Sequence, residues 1–106
     1  MGKKGTPEYK KAIDELYNRH GTSKFNILAK KFIQDYGLPD DWETLFLFLD
    51  HKECDIVREV ILKLKESYRN RSLSEMQGFR AKLEIIAMTT FDKGLKKFVE
   101  QILTEL

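Results

Sequence analysis

The stretch Asp40-Asp41-Trp42-Glu43-Thr44-Leu45-Phe46-Leu47-Phe48-Leu49-Asp50 decides the fold, because it reads two ways. Five consecutive apolar residues, Leu45–Leu49, suit a buried strand, and they suit equally a helix surrounded by protein. The residues before them favour the helix. Asp40 is a good N-cap, and Glu43 three positions on completes a capping box, in which two side chains satisfy backbone N–H groups that the first turn leaves open. The same pairing explains the acids Asp40, Asp41 and Glu43 without assigning them catalytic work. A third helix is therefore expected from Asp40, apolar on nearly every side and central in the fold.

Working outward, the flanking segments read as helices too. Towards the N-terminus, Thr6 caps a helix with Pro7 at its first position, and Tyr9, Ala12, Ile13, Leu16 and Tyr17 form its apolar stripe up to Gly21. A second helix starts near Thr22 or Ser23, carries Phe25, Leu28, Ala29, Phe32, Ile33 and Tyr36, and stops at Gly37 and Pro39. Beyond the polar turn Asp50–Glu53, a fourth helix runs from about Cys54 to Tyr68 with Val57, Val60, Ile61 and Leu64 inward. Ser72 and Glu75 make a second capping box, with Ser74 as the competing cap. The fifth helix, reaching about Thr89, shows two apolar faces. Met76, Phe79, Leu83, Ile86 and Ala87 make one; Gly78, Ala81, Ile85 and Met88 make the other, whose small residues would admit a close helix. It is expected to be a second central helix. Asp92 stands at the cap or in the first turn of a sixth, with Leu95, Phe98, Val99, Ile102, Leu103 and Leu106. The expectation is an all-α chain of about six helices and no sheet.

A shift of 38 residues superimposes parts of this pattern. Leu45 falls on Leu83, Phe48 on Ile86, Val57 on Leu95, Val60 on Phe98, Ile61 on Val99 and Leu64 on Ile102. Helical hairpins repeating at about forty residues mark an α-solenoid. The stretch Val57-Arg58-Glu59-Val60-Ile61-Leu62-Lys63-Leu64 resembles the start of a second helix in the HEAT family of repeats, and more loosely the armadillo type. Asp92 stands where that family carries an Asp in the turn three residues before Leu95, and Lys96 holds the family's basic position. Cys54 departs from the pattern in the first copy, and the first-helix proline is missing from both. The resemblance covers about residues 42–106. It implies stacked antiparallel hairpins, whose second helices line one concave surface; a globular helical bundle is the alternative.

Bulk properties set the class. With 106 residues, 42% hydrophobic and 34% charged, the chain has the makings of one folded domain over residues 1–106. Cys54 is the only cysteine, so no internal disulfide forms. No run approaches about 18 apolar residues, and Met1-Gly2-Lys3-Lys4-Gly5 leads into no apolar segment. A cytoplasmic setting is expected, with no membrane contact. The net charge of +2 is far from the dense basic field of a dedicated nucleic-acid domain. Lys3, Lys4, Lys10 and Lys11 resemble a basic arm, but Lys10 and Lys11 are spaced to pair with Asp14 and Glu15, and Lys3 and Lys4 are expected to be mobile.

The chemistry-bearing residues are few. His51 and Cys54 stand beside Asp50, Glu53 and Asp55, with residue types that bind zinc or act as nucleophiles. A closed zinc site needs four ligands, and His20 is the only other histidine, so a polar turn is the expected role. Neither a phosphate-binding glycine loop nor a catalytic triad order is present, so no enzyme activity and no cofactor are expected.

The fourth helix carries the best candidate. Arg58, Leu62, Lys65 and Arg69 follow at spacings of four, three and four, which gathers them in one strip off the apolar stripe. In a HEAT-like array Lys96 would extend that strip. A basic strip with an apolar centre suits a protein partner offering an acidic, amphipathic segment. The competing reading uses Lys and Arg around residues 58–82: Arg69, Arg71, Arg80 and Lys82 would grip phosphates, with Tyr68 stacking a base. Glu59, Glu66, Glu75 and Glu84 interleave with those residues and dilute such a track.

Overall fold

The computed structural model describes residues 4–106. Thr6 Oγ1 accepts the Tyr9 N–H at 3.2 Å and starts helix α1, Pro7–Arg19. Gly21, at φ +87°, turns the chain in the left-handed region where a Cβ would be strained. Helix α2 is Lys24–Tyr36. Neither Thr22 nor Ser23 caps it with a side chain; the Thr22 hydroxyl instead donates to the Arg19 carbonyl at 2.7 Å and closes the end of α1. Gly37 ends α2 at φ +80°, its N–H reaching the Ile33 carbonyl at 2.8 Å.

The deciding stretch is helical, as α3, Trp42–Leu47, followed by a 3-10 turn, Phe48–Asp50. The buried set Trp42, Leu45, Phe48 and Leu49 recurs every three or four residues, whereas Phe46 and Leu47 are half-buried. A strand would have buried alternate residues. The cap is Asp41 rather than Asp40: its Oδ2 accepts both the Thr44 N–H at 3.0 Å and the Thr44 hydroxyl at 2.6 Å. Glu43 is thereby released from any capping box and is exposed. With its proton given to Asp41, the Thr44 hydroxyl accepts from Tyr17 at 3.1 Å, which ties α1 to α3.

Helices α4, Cys54–Ser67, α5, Leu73–Thr89, and α6, Lys93–Glu105, complete the chain, with a second 3-10 turn at Tyr68–Asn70. Ser72 caps α5 through the expected box, accepting the Glu75 N–H at 3.1 Å while Glu75 Oε1 accepts the Ser72 N–H at 3.3 Å. Asp92 caps α6, accepting the Leu95 N–H at 2.8 Å. Six helices and no strand are present among the described residues.

The chain divides into two compact units between Val60 and Ile61, within α4. In the first, α1 and α2 pack antiparallel. The start of α1 meets the end of α2 through Tyr9 and Tyr36, edge to face at 5.1 Å, and His20 meets Phe25 at 5.2 Å at the other end. Burial and the nearby acids Asp41 and Asp40 hold the Tyr9 hydroxyl above its ordinary pKa. Phe48 is fully buried, 6.1 Å from Phe25 and 5.9 Å from Phe32. Lys4, expected to be mobile, donates to the Leu38 carbonyl and to Asp40, each at 2.8 Å. Lys3 lies outside the described residues.

In the second unit α5 packs along α6, and Phe79, Leu83, Ile86, Leu95, Val99 and Ile102 are buried. Only one face of α5 is covered. Gly78 and Ala81 are exposed, Ile85 is 52% and Met88 83% exposed, so α5 is not the doubly buried central helix its composition suggests. A Cβ on Gly78 would meet open space, which removes close helix approach as its reason. Of the twelve positions matched by the 38-residue shift, all but the half-buried Phe98 are buried. The two copies differ in their first helices: α3 has 6 residues where α5 has 17.

Candidate functional site

An α-helix advances 100° per residue, so Leu62 and Lys65 lie about 60° of arc apart on α4, while Arg69 falls beyond the helix in the 3-10 turn Tyr68–Asn70. Leu62 is the apolar centre, 48% exposed beside the fully buried Ile61 and Leu64. Arg69 and Lys96 are exposed. Arg58 belongs to the first unit; Leu62, Lys65, Arg69 and Lys96 belong to the second.

Two of the strip's cations already hold carboxylates. Arg58 donates to Asp55 at 3.2 Å, one helical turn earlier. Lys65 pairs with Glu105 at the end of α6, and that hydrogen bond, helped by one from Gln101, holds the Glu105 carboxyl below the usual carboxylate range. Both pairs are solvent-accessible, so each contributes little to stability and exchanges readily with a competing carboxylate. Beside Lys65 and Arg69 opens a cavity of about 550 Å³, bordered also by Asn70, Glu105 and Leu106. The Arg58–Asp55 pair was legible as an i,i+3 spacing. The Lys65–Glu105 pair spans forty positions and left no local trace.

The residues of the nucleic-acid reading are placed less favourably. Tyr68 is 5% exposed and packs on Phe79 at 5.8 Å, so its ring cannot receive a base. Arg71 donates to Glu75 at 2.7 Å, lowering the Glu75 carboxyl, which also belongs to the α5 capping box. Arg80 and Lys82 are half-buried.

His51 is the most buried of the residues with candidate chemistry, at 6% exposure. Its Nδ1 accepts the Glu53 N–H at 3.0 Å, so the ring proton resides on Nε2, which donates to the Asn26 carbonyl at 3.1 Å. Asn26 Oδ1 in turn accepts the Lys52 N–H at 3.0 Å. Glu53 pairs with Lys30 at 2.9 Å, which pulls its carboxyl below the ordinary range, and His20 pairs with Asp50 at 2.6 Å. The polar turn is thus a lattice of hydrogen bonds pinning α2 to the start of α4. Cys54 is half-buried beside it. No group of three or more His, Cys, Asp or Glu side chains able to hold a metal ion occurs among the described residues. None of the described helices is long and apolar enough to cross a membrane.

Comparison with models of known families, with characterised proteins and with solved structures gives no match.

Proposed function

We propose that this chain is a non-catalytic protein-interaction module, in which the outer face of α4 docks an acidic, amphipathic segment of a partner protein. The observation that carries the reading is Leu62: an aliphatic side chain about half in solvent, followed on α4 by Lys65 and in the 3-10 turn beyond it by Arg69, all within the second unit. Its covering would add apolar burial, while the basic residues select the sign of the partner's flanking charges. Asp55 and Glu105 occupy two of those cations in the free chain, and the partner's carboxylates would take their place. The shared burial of positions 38 apart supports reading α3–α4 and α5–α6 as HEAT-like hairpins, an arrangement in which Lys96 extends the strip. The lone Cys54 suits a reducing, cytoplasmic setting.

The test compares the chain with Leu62→Asp and Arg69→Glu variants, both at exposed positions, in affinity capture from lysate of the source cells followed by mass spectrometry. Proteins captured by the parent and lost with either variant, with melting temperatures unchanged, are the expected result. Identical capture by all three forms would refute the α4 surface. Nanomolar affinity for mixed-sequence single-stranded RNA, with a steep fall in affinity as salt rises, would replace the reading by nucleic-acid binding.

A further inference from the structure

The uncovered face of α5 is a second surface, wholly within the second unit. Seven large apolar side chains stand in solvent among the described residues, and four of them, Leu73, Ile85, Met88 and Phe91, belong to α5 or to the turn after it. Leu73 is 69% exposed and Phe91 completely so. At 100° per residue, Ser74, Gly78, Ala81, Ile85 and Met88 fall within about 80° of arc and follow the helix for about 21 Å. All five are exposed, and none is charged.

Size is graded along this strip. Ser74, Gly78 and Ala81 make its first half small, and a Cβ on Gly78 would meet nothing within 4 Å. Ile85 and Met88 make its second half large. A second copy of α5 laid alongside in the same direction would crowd the large halves together and leave the small ones apart. Turned end for end about a two-fold axis beside Ala81, the copy sets Ile85 and Met88 over Gly78 and Ser74. Charge fits the same axis. Arg80 and Glu84 share one flank of the strip, neither holds an ion pair among the described residues, and they lie symmetrically about Lys82. Each Arg80 therefore comes opposite the other copy's Glu84. Leu73 and Phe91 are also equidistant from Lys82, so an apolar side chain meets an apolar one at both ends. On the opposite flank Glu75 is held in the capping box, and Lys82 is half-buried with a contact of its own.

We infer that the outer face of α5 binds a second copy of this chain, as an antiparallel α5–α5 pair with two-fold symmetry. Such a contact is isologous, the same patch serving both partners, and it closes at two copies. An aromatic side chain buries roughly 150–250 Å², so four large side chains from each copy bring the covered surface to on the order of 1,000 Å², where specific interfaces begin. An interface of that size gives a reversible dimer with a Kd on the order of 10–100 μM, and in dilute solution the same side chains return to solvent. The face shares no residue with the α4 strip, so either surface can fail without the other.

Sedimentation velocity of the full chain between about 1 and 500 μM tests the inference. The mass should rise from 12.5 kDa towards twice that value. Met88→Asp, at a position too exposed for the fold to depend on it, should raise Kd at least tenfold while leaving the circular dichroism of the dilute chain unchanged. Gly78→Leu adds apolar surface but fills the space that receives Ile85, so it too should weaken the dimer. Arg80→Glu should weaken it, and adding Glu84→Arg should restore it. On a Cys54→Ser background, Ala81→Cys should form a disulfide-linked dimer under mild oxidation, whereas Ser74→Cys, far from the axis, should not. A chain that stays monomeric throughout would overturn the inference and leave the face to a different protein. Dimerisation untouched by Met88→Asp, tightened by Gly78→Leu, or cross-linked through Ser74→Cys rather than Ala81→Cys would also overturn it, the last by making the pair parallel.

Discussion

Removing the ring of Phe48 is the sharpest test of how the deciding stretch is built. The side chain is fully buried, and its ring contacts Phe25 and Phe32 on α2. Transfer of an apolar side chain of this size is worth about 1.5–3 kcal/mol, and the unfilled cavity raises the cost of Phe→Ala to about 3–5 kcal/mol. Against a total stability of roughly 5–15 kcal/mol, that is a large share. With a urea slope of about 2 kcal/mol per molar, the midpoint of Phe48→Ala should fall by about 2 M. Trp42, the only tryptophan and buried on α3, is the natural fluorescence probe, with far-ultraviolet circular dichroism followed in parallel. Phe46→Ala is the internal control, since Phe46 is only half-buried and its loss should cost less than half as much. A midpoint shift below about 0.5 M for Phe48, or equal shifts for the two variants, would refute the burial pattern assigned to α3 and its 3-10 turn.

Other outcomes follow from the same structure. Leu83→Ala, at a fully buried position of α5, should cost about 2–5 kcal/mol in chemical denaturation; a loss within error would remove α5 from the core. Ser72→Ala breaks the capping box and should cost about 1 kcal/mol, with Thr restoring most of it. Phe91→Ser and Met88→Ala, both at strongly exposed positions, should leave stability within about 0.5 kcal/mol; a larger loss would show that these side chains are covered in solution. Glu53, Glu75 and Glu105 have folded-state pKa values below the ordinary 4.5, so the stability they contribute is present above that value and lost as pH falls through the lowered values. Melting temperature should therefore drop below pH 4.5, and Glu75→Gln should flatten part of the drop; an identical acid limb would exclude the Arg71–Glu75 pair as a contributor.

What the sequence revealed and what it hid have physical reasons. Local chemistry was legible: Thr6, Ser72 and Asp92 sit three residues before the N–H groups they accept, and Gly21 and Gly37 take the left-handed φ that their place at helix ends suggests. The choice between Asp40 and Asp41 was not, because adjacent carboxylates compete for one backbone turn and the hydroxyl of Thr44 tips it to Asp41. Periodicity showed that Gly78, Ala81, Ile85 and Met88 share a face, but periodicity does not say that anything covers it. On the strip, the spacing of Arg58, Leu62, Lys65 and Arg69 was readable, whereas the capture of Lys65 by Glu105 depends on how α6 returns past α4 within the second unit.

The imidazole of His51 offers a clock for the turn it organises. An Nε2 proton on a histidine in open water exchanges with solvent too quickly to follow. Here the proton is held between a buried ring and the Asn26 carbonyl, while Glu53 keeps the other nitrogen occupied. It can leave only when the segment joining the 3-10 turn to α4 swings away from α2. Its lifetime in a deuterium-exchange or saturation-transfer experiment would therefore count openings of that joint, one buried proton timing how often the first unit breathes.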